Sequence, residues 1–178
     1  MENRNIPFNK FYKLFNILSL SLRLPLSNTP PWFIMPPGAP QALLRQFQAS
    51  SSTLKCLCYE FNDNPVEIPE MAKSYTETIM STQRTGPVIL GGWSFGGILA
   101  LETAQQLKIQ CRDVENLVLV ETYHPQLLRS YGHEGLFEKH WNAIIGEAPQ
   151  TEQEAAYFAQ KQLIYAHQSE ALNRYEPN

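Results

Sequence analysis

The sequence predicts an α/β domain with a mostly parallel sheet and helices on both faces, and three observations carry that expectation. Short apolar runs of β type alternate with helical patterns from Trp32 to Glu121, the order that crossover-linked parallel strands produce. The run Gly92-Trp93-Ser94-Phe95-Gly96 joins one strand to one helix through a very tight turn. Beyond Pro125 the pattern becomes helical only. With 178 residues, 43% of them hydrophobic and 17% charged, the chain suits one globular domain rather than a disordered or membrane protein. A net charge of −3 supplies no basic field for nucleic acid. The odd count of 3 cysteines argues against a disulfide framework and suits a reducing cytoplasm. Cys56, Cys58 and Cys111 are read as packing residues, and no metal site is expected.

Each element follows from a local pattern. Residues 1–16 read as an N-terminal tail, and 17–178 as the domain. Leu18, Leu20, Leu22, Leu24 and Leu26 alternate with Ser19, Ser21, Arg23 and Pro25. That period of two marks a half-buried strand, and the arginine within it disfavours a signal-peptide core. Asn28-Thr29-Pro30-Pro31 is a turn, Trp32–Met35 a strand, and Pro36-Pro37-Gly38-Ala39-Pro40 a stiff loop before a short helix through Leu43, Leu44 and Phe47. Leu54–Phe61 is β-rich and is broken by Asn62-Asp63-Asn64-Pro65. Pro69 suits a first helical turn, and Met71, Tyr75 and Ile79 recur at helical spacing after it. A strand over Pro87–Gly91 precedes the tight turn, a helical pattern runs from Ile98 to about Ile109, and a further strand ends at Glu121. In the last region Phe137, Trp141, Ile144 and Ile145 share a helical face. Thr151-Glu152-Gln153-Glu154 fits a capping box, with Ala155, Phe158, Ala159 and Leu163 marking the helix it starts.

The tight turn points to chemistry. A serine hydroxyl is a weak nucleophile unless a base takes its proton and its attack angle is fixed. A sharp strand-to-helix turn lifts Ser94 off the sheet, Gly92 and Gly96 let neighbouring backbone pass close, and the Phe95 amide at the helix start faces a developing oxyanion. This is the arrangement of a nucleophile elbow in the α/β-hydrolase fold. The longer segment from Gly86 to Glu102 closely resembles the elbow of thioesterase domains that release chains from nonribosomal peptide and polyketide synthases. Trp32-Phe33-Ile34-Met35-Pro36-Pro37-Gly38-Ala39 resembles that family's first core strand and oxyanion loop. Leu117-Val118-Leu119-Val120-Glu121-Thr122-Tyr123-His124-Pro125 resembles the strand that ends in its catalytic acid. Proline has no amide hydrogen, so the second oxyanion donor is Gly38 or Ala39, and the resemblance favours Gly38. The resemblance also implies a helical lid, about 126–178, over an acyl channel.

Chain order in this fold is serine, acid, histidine, which puts the acid at Glu121. The family usually has aspartate there, so the extra methylene must be absorbed locally. The family's histidine lies after the lid, beyond a further strand. His124, His133, His140 and His167 do not match that position, so the resemblance implies a C-terminally truncated domain, lacking the last strands, with impaired activity. The expected function is that of a thioesterase-like serine hydrolase. Ser94 would accept an acyl or peptidyl chain from a carrier protein's phosphopantetheine arm, which belongs to the substrate, with no cofactor of its own. Expected partners are the acyl or peptidyl carrier protein and the acyl thioester, with no nucleic acid and no membrane, in the cytoplasm. A general esterase, a non-catalytic acyl-binding or regulatory pseudo-hydrolase and a decayed fragment stand as alternatives.

Overall fold

The computed structural model describes residues 32–35, 45, 55–58, 67–122, 124–126 and 151–177. Four strands, β1 (Trp32–Met35), β2 (Lys55–Cys58), β3 (Val88–Trp93) and β4 (Val114–Val120), form a sheet in the order β2-β1-β3-β4. Every pairing is parallel, with Ile34 beside Leu57 and Gly92, and Trp93 beside Val120. Parallel pairing brings the C-terminal ends of β1, β3 and β4 to one edge, where ligands bind in open α/β sheets. The strand expected at Leu18–Leu26, the tail, and the helices expected around Leu43 and Trp141 lie outside the described residues.

Helix α1 (Ile68–Thr82) carries Pro69 in its first turn, as its missing amide hydrogen allows. Its buried positions, Ile68, Met71, Ala72, Tyr75, Thr76 and Ile79, fall on one stripe. Helix α2 (Phe95–Ile109) is buried on most sides of its first two turns, from Phe95 to Ala100, and through Glu102, Thr103 and Leu107. It starts at Phe95, where the strand-to-helix turn is expected to put it, three positions before the apolar period begins at Ile98. Trp32, Ile34, Val88 and Leu90 are all buried among α1 and α2 side chains, and alternation places them on one sheet face. Phe33 and Ile89 face the other way and are equally buried. Strand β4 ends the sheet among the described residues; Val118 and Val120 are half-buried and Leu119 is exposed.

Helix α3 (Glu152–Arg174) begins with both capping-box bonds. The Glu154 amide donates to Thr151 Oγ1 at 3.1 Å, and the Thr151 amide donates to Glu154 Oε2 at 3.2 Å. Ala155, Phe158, Ala159 and Leu163 do lie in this helix; Ala155, Ala159 and Leu163 are exposed and Phe158 is half-buried. Core contact comes later, through Ile164, Ala171, Leu172 and then Tyr175 just past the helix. The last three pack with Phe95 and Ile98 of α2 and with Ile68 and Met71 of α1. Among the described residues the helix therefore docks by its C-terminal end.

That docking contains a buried polar knot. Tyr175, 4% exposed, donates its hydroxyl to Glu102 Oε2 at 2.6 Å, and Glu102 is itself only 6% exposed. Gln106 Nε2 donates to Glu102 Oε1 at 3.0 Å and also to the Pro69 carbonyl at 2.9 Å, tying α2 to α1. A buried carboxylate is costly without such donors. Burial first, then the bond and the charge of Glu102, raise the Tyr175 phenol above its ordinary value of 10.0. A raised folded-state value favours the neutral phenol in the fold. The stability it contributes is therefore complete below pH about 10 and declines as pH rises beyond that. Tyr175→Phe should cost about 1–3 kcal/mol at neutral pH, because Glu102 stays buried with one donor fewer. It should also flatten the loss of stability above pH about 10, leaving the smaller slope due to Tyr157 and Tyr165, whose phenols burial also raises. Denaturant melts at neutral and alkaline pH measure both effects. An unchanged neutral-pH midpoint would remove the knot from the account.

Candidate active site

Strand β3 stops at Trp93 and α2 starts at Phe95, so Ser94 alone makes the reversal. It does so at φ 54° and ψ −125°, a strained conformation for a residue with a Cβ. Three hydrogen bonds hold it there. The Ser94 amide donates to the Val120 carbonyl at 2.8 Å. Its own carbonyl accepts from the Gly97 amide at 2.9 Å and from Thr122 Oγ1 at 3.3 Å. The hydroxyl of Thr122 is also within 3.1 Å of the Val120 carbonyl. The turn is thus fastened to the end of β4 as well as to its own helix.

Two glycines are required by close approach. A Cβ on Gly92 would lie 2.3 Å from the Gly96 carbonyl oxygen, so Gly92 and Gly96 do meet across the turn. A Cβ on Gly97 would lie 1.8 Å from Thr122 Oγ1. Sequence reasoning missed Gly97 and Thr122; the signal available was a third glycine in Gly92-Trp93-Ser94-Phe95-Gly96-Gly97, one more than the motif demands.

Ser94 is exposed at the tip, whereas the Phe95 side chain is buried in the core. As the first residue of α2, Phe95 carries one of the amides a helix cannot bond internally, and the helix dipole adds partial positive charge there. Gly38 lies outside the described residues; the chain leaves β1 at Met35, one position past the Ile34–Gly92 pairing.

Glu121 follows β4 directly and turns at φ 50°. Its exposed carboxylate accepts from Trp93 Nε1 at 2.8 Å through Oε2. The proposed nucleophile and the proposed acid are therefore carried on adjacent turns of neighbouring strands.

The histidines fit less well. His124 is exposed, and its Nδ1 accepts from the Gln126 amide at 3.3 Å. In the neutral ring that leaves the proton on Nε2, which is then a donor and not a base. His167 is half-buried on α3, and His133 and His140 lie outside the described residues. Among the described residues no histidine donates to or accepts from Ser94.

Cysteine packing holds only in part. Cys56 is half-buried, but Cys111 is exposed in the turn after α2 at φ 58°, where a helix end needs a left-handed residue and the side chain meets no core. The side chain of Cys58 lies outside the described residues. No group of three or more potential metal ligands occurs among the described residues, and no described helix is long and apolar enough to cross a membrane.

Comparison with known proteins agrees with this geometry. The family model for the thioesterase domain matches residues 35–161. A non-reducing polyketide synthase of Pseudevernia furfuracea is 33% identical over 111 residues, 58% of this chain and 5% of the synthase. N-(5-amino-5-carboxypentanoyl)-L-cysteinyl-D-valine synthase of Amycolatopsis lactamdurans is 32% identical over 98 residues, 51% of this chain and 3% of that protein. The NocB thioesterase domain, solved as a covalent complex with a fluorophosphonate nocardicin G analogue, superposes with a TM-score of 0.59 at 25% identity, covering 83% of this chain and 65% of that one. The type II thioesterase YbtT of the yersiniabactin pathway shares the fold, with a TM-score of 0.62 at 17% identity over 86% of this chain and 68% of its own. The chain thus spans a small fraction of the synthases it matches and about two thirds of the solved domains. The parallel sheet, the serine turn on β3 and a family match over more than half the sequence agree that this chain belongs to the thioesterase domain family of the α/β-hydrolase fold.

Proposed function

We propose that the domain performs serine-based acyl transfer on a thioester of the kind carried by a polyketide or peptide synthase. The observation that carries this reading is Ser94 itself, exposed at a strained φ of 54° and fastened to the end of β4. In the proposed reaction Ser94 Oγ attacks the thioester carbonyl, the C–S bond breaks, and the thiol leaves with a proton. Water or a nucleophile within the acyl chain then cleaves the acyl-serine ester. The Phe95 amide, with Gly38 as its expected partner, holds the oxyanion. Glu121 takes the role of the acid that orients a histidine and stabilises its charged form.

The base is the part these four histidines do not supply at the family's position, and the hydrogen bond at His124 Nδ1 disfavours the nearest one in sequence to Glu121. We therefore assign slow release to these 178 residues acting alone. The acyl or peptidyl carrier protein is the proposed donor, and its phosphopantetheine arm needs no cofactor in this domain. Among the described residues no histidine bonds Ser94, which favours, as a second reading, an acyl-binding module without turnover. Acyl-chain binding unaffected by Ser94→Ala, with no release, would support that second reading.

Mapping by mass spectrometry after treatment with a fluorophosphonate probe should find Ser94 alone modified, slowly, and Ser94→Ala unmodified. Fast labelling abolished by His124→Ala or His167→Ala would mean that a working base is present. Gly92→Ala should destabilise the fold by at least about 1–3 kcal/mol and abolish labelling, because the added methyl meets the backbone of Gly96 and Gly97 and no flexible side chain that could give way. In a polypeptide extended with a relative's C-terminal strand and histidine loop, Glu121→Gln should depress thioester turnover by about 10³–10⁴-fold, since an amide favours the wrong histidine tautomer. Near-full turnover in that variant would take the acid role away from Glu121.

A further inference from the structure

The hydrogen bond between Trp93 and Glu121 does more than decorate the site edge. Trp93 is the last residue of β3 and pairs in register with Val120, the last residue of β4. Glu121 lies one residue beyond that pairing, at φ 50°, so its side chain leaves the strand end while the backbone reverses. An exposed glutamate has three side-chain torsions to fix, and nothing in a bare turn selects among them. The indole offers a single N–H on a rigid ring with two torsions. That N–H meets Oε2 at 2.8 Å, which is good geometry for a charge-assisted bond. The bond occupies one carboxylate oxygen and leaves Oε1 able to accept a further donor.

Two more contacts join the same pair of turns. The Ser94 amide donates to the Val120 carbonyl at 2.8 Å, and Thr122 Oγ1 reaches the Ser94 carbonyl at 3.3 Å. Residues 93 and 94 therefore meet residues 120, 121 and 122 through the strand pairing, the indole–carboxylate bond and two further bonds that use backbone. The backbone bonds fix where the two turns sit; among the described residues, the indole fixes where the carboxylate points.

We propose that Trp93 is a positioning residue for Glu121, holding Oε2 so that Oε1 faces a histidine partner and the longer glutamate acts with the reach of a fixed acid. This rests on the assignment of Glu121 as the triad acid. The chain has 3 tryptophans, so ¹⁵N-labelled protein gives three indole N–H resonances, and Trp93→Phe identifies the one due to Trp93. In Glu121→Gln, whose neutral amide is a weaker acceptor, that resonance should move upfield and exchange with solvent several-fold faster while the other two stay in place. Unchanged position and exchange of the Trp93 resonance in Glu121→Gln would overturn the pairing. Movement of all three resonances would also overturn it, because a general change in fold would then explain the shift. The indole signal is independent of turnover. A pairing that survives here, beside thioester turnover indifferent to Glu121→Gln in the extended polypeptide, would separate loss of the acid assignment from loss of the contact and would likewise remove the positioning role.

Discussion

The fastening of the β3 end to the β4 end is the constraint on which the site depends. A serine at φ 54° is not stable by itself, since positive φ in a residue with a Cβ costs of order 1–3 kcal/mol. The turn persists because Val120 receives the Ser94 amide, Gly97 and Thr122 reach the Ser94 carbonyl, and Gly92 passes Gly96 with no room for a side chain. Remove any of these and the reversal must spread over more residues, which would lower the hydroxyl toward the sheet and move the Phe95 amide away from it. Strain at Ser94 and its closeness to the Glu121 turn are thus two consequences of one parallel pairing.

The scaffold beneath the turn is arranged to keep α2 from yielding. Its first two turns are buried, and Phe95 and Ile98 are covered by Ala171, Leu172 and Tyr175 from the end of α3. Glu102 is held by Tyr175 and Gln106, and Gln106 also holds the start of α1 through the Pro69 carbonyl. At the opposite end of the sheet Arg112 bonds the carbonyls of Gln83 and Arg84, while Gln83 bridges Trp32 Nε1 at 2.9 Å and the Pro87 carbonyl at 2.7 Å. Polar side chains therefore tie α1, α2 and the sheet together at both ends, with apolar packing between.

Much of this was legible in the sequence because it rests on local pattern. Strands β1 to β4, the α1 stripe through Met71, Tyr75 and Ile79, and the capping box at Thr151 follow from period and cap chemistry alone. The helix start at Phe95 follows from the turn motif, although the glycines after it carry no hydrophobic signal. The docked end of α3 was not legible, because period shows that a helix has an apolar stripe but not what lies opposite it. For Cys111, composition suggests burial, whereas its place just after α2 exposes it. At the site, the motif gives Ser94 and the fold's chain order gives Glu121, but Thr122, Gly97 and the Trp93 indole come from register between strands that are distant in sequence. The extra methylene at Glu121, awkward when read from the sequence, meets a partner only once β3 and β4 are paired.

The central claim is that the turn presents Ser94 as a nucleophile with the Phe95 amide aimed at the oxyanion. A crystal structure of the chain after reaction with a fluorophosphonate tests it most directly. The account predicts phosphorus bonded to Ser94 Oγ, its phosphoryl oxygen within about 2.7–3.1 Å of the Phe95 amide nitrogen, and the Ser94 amide still donating to Val120. An adduct on another residue, or a phosphoryl oxygen turned away from Phe95, would contradict it.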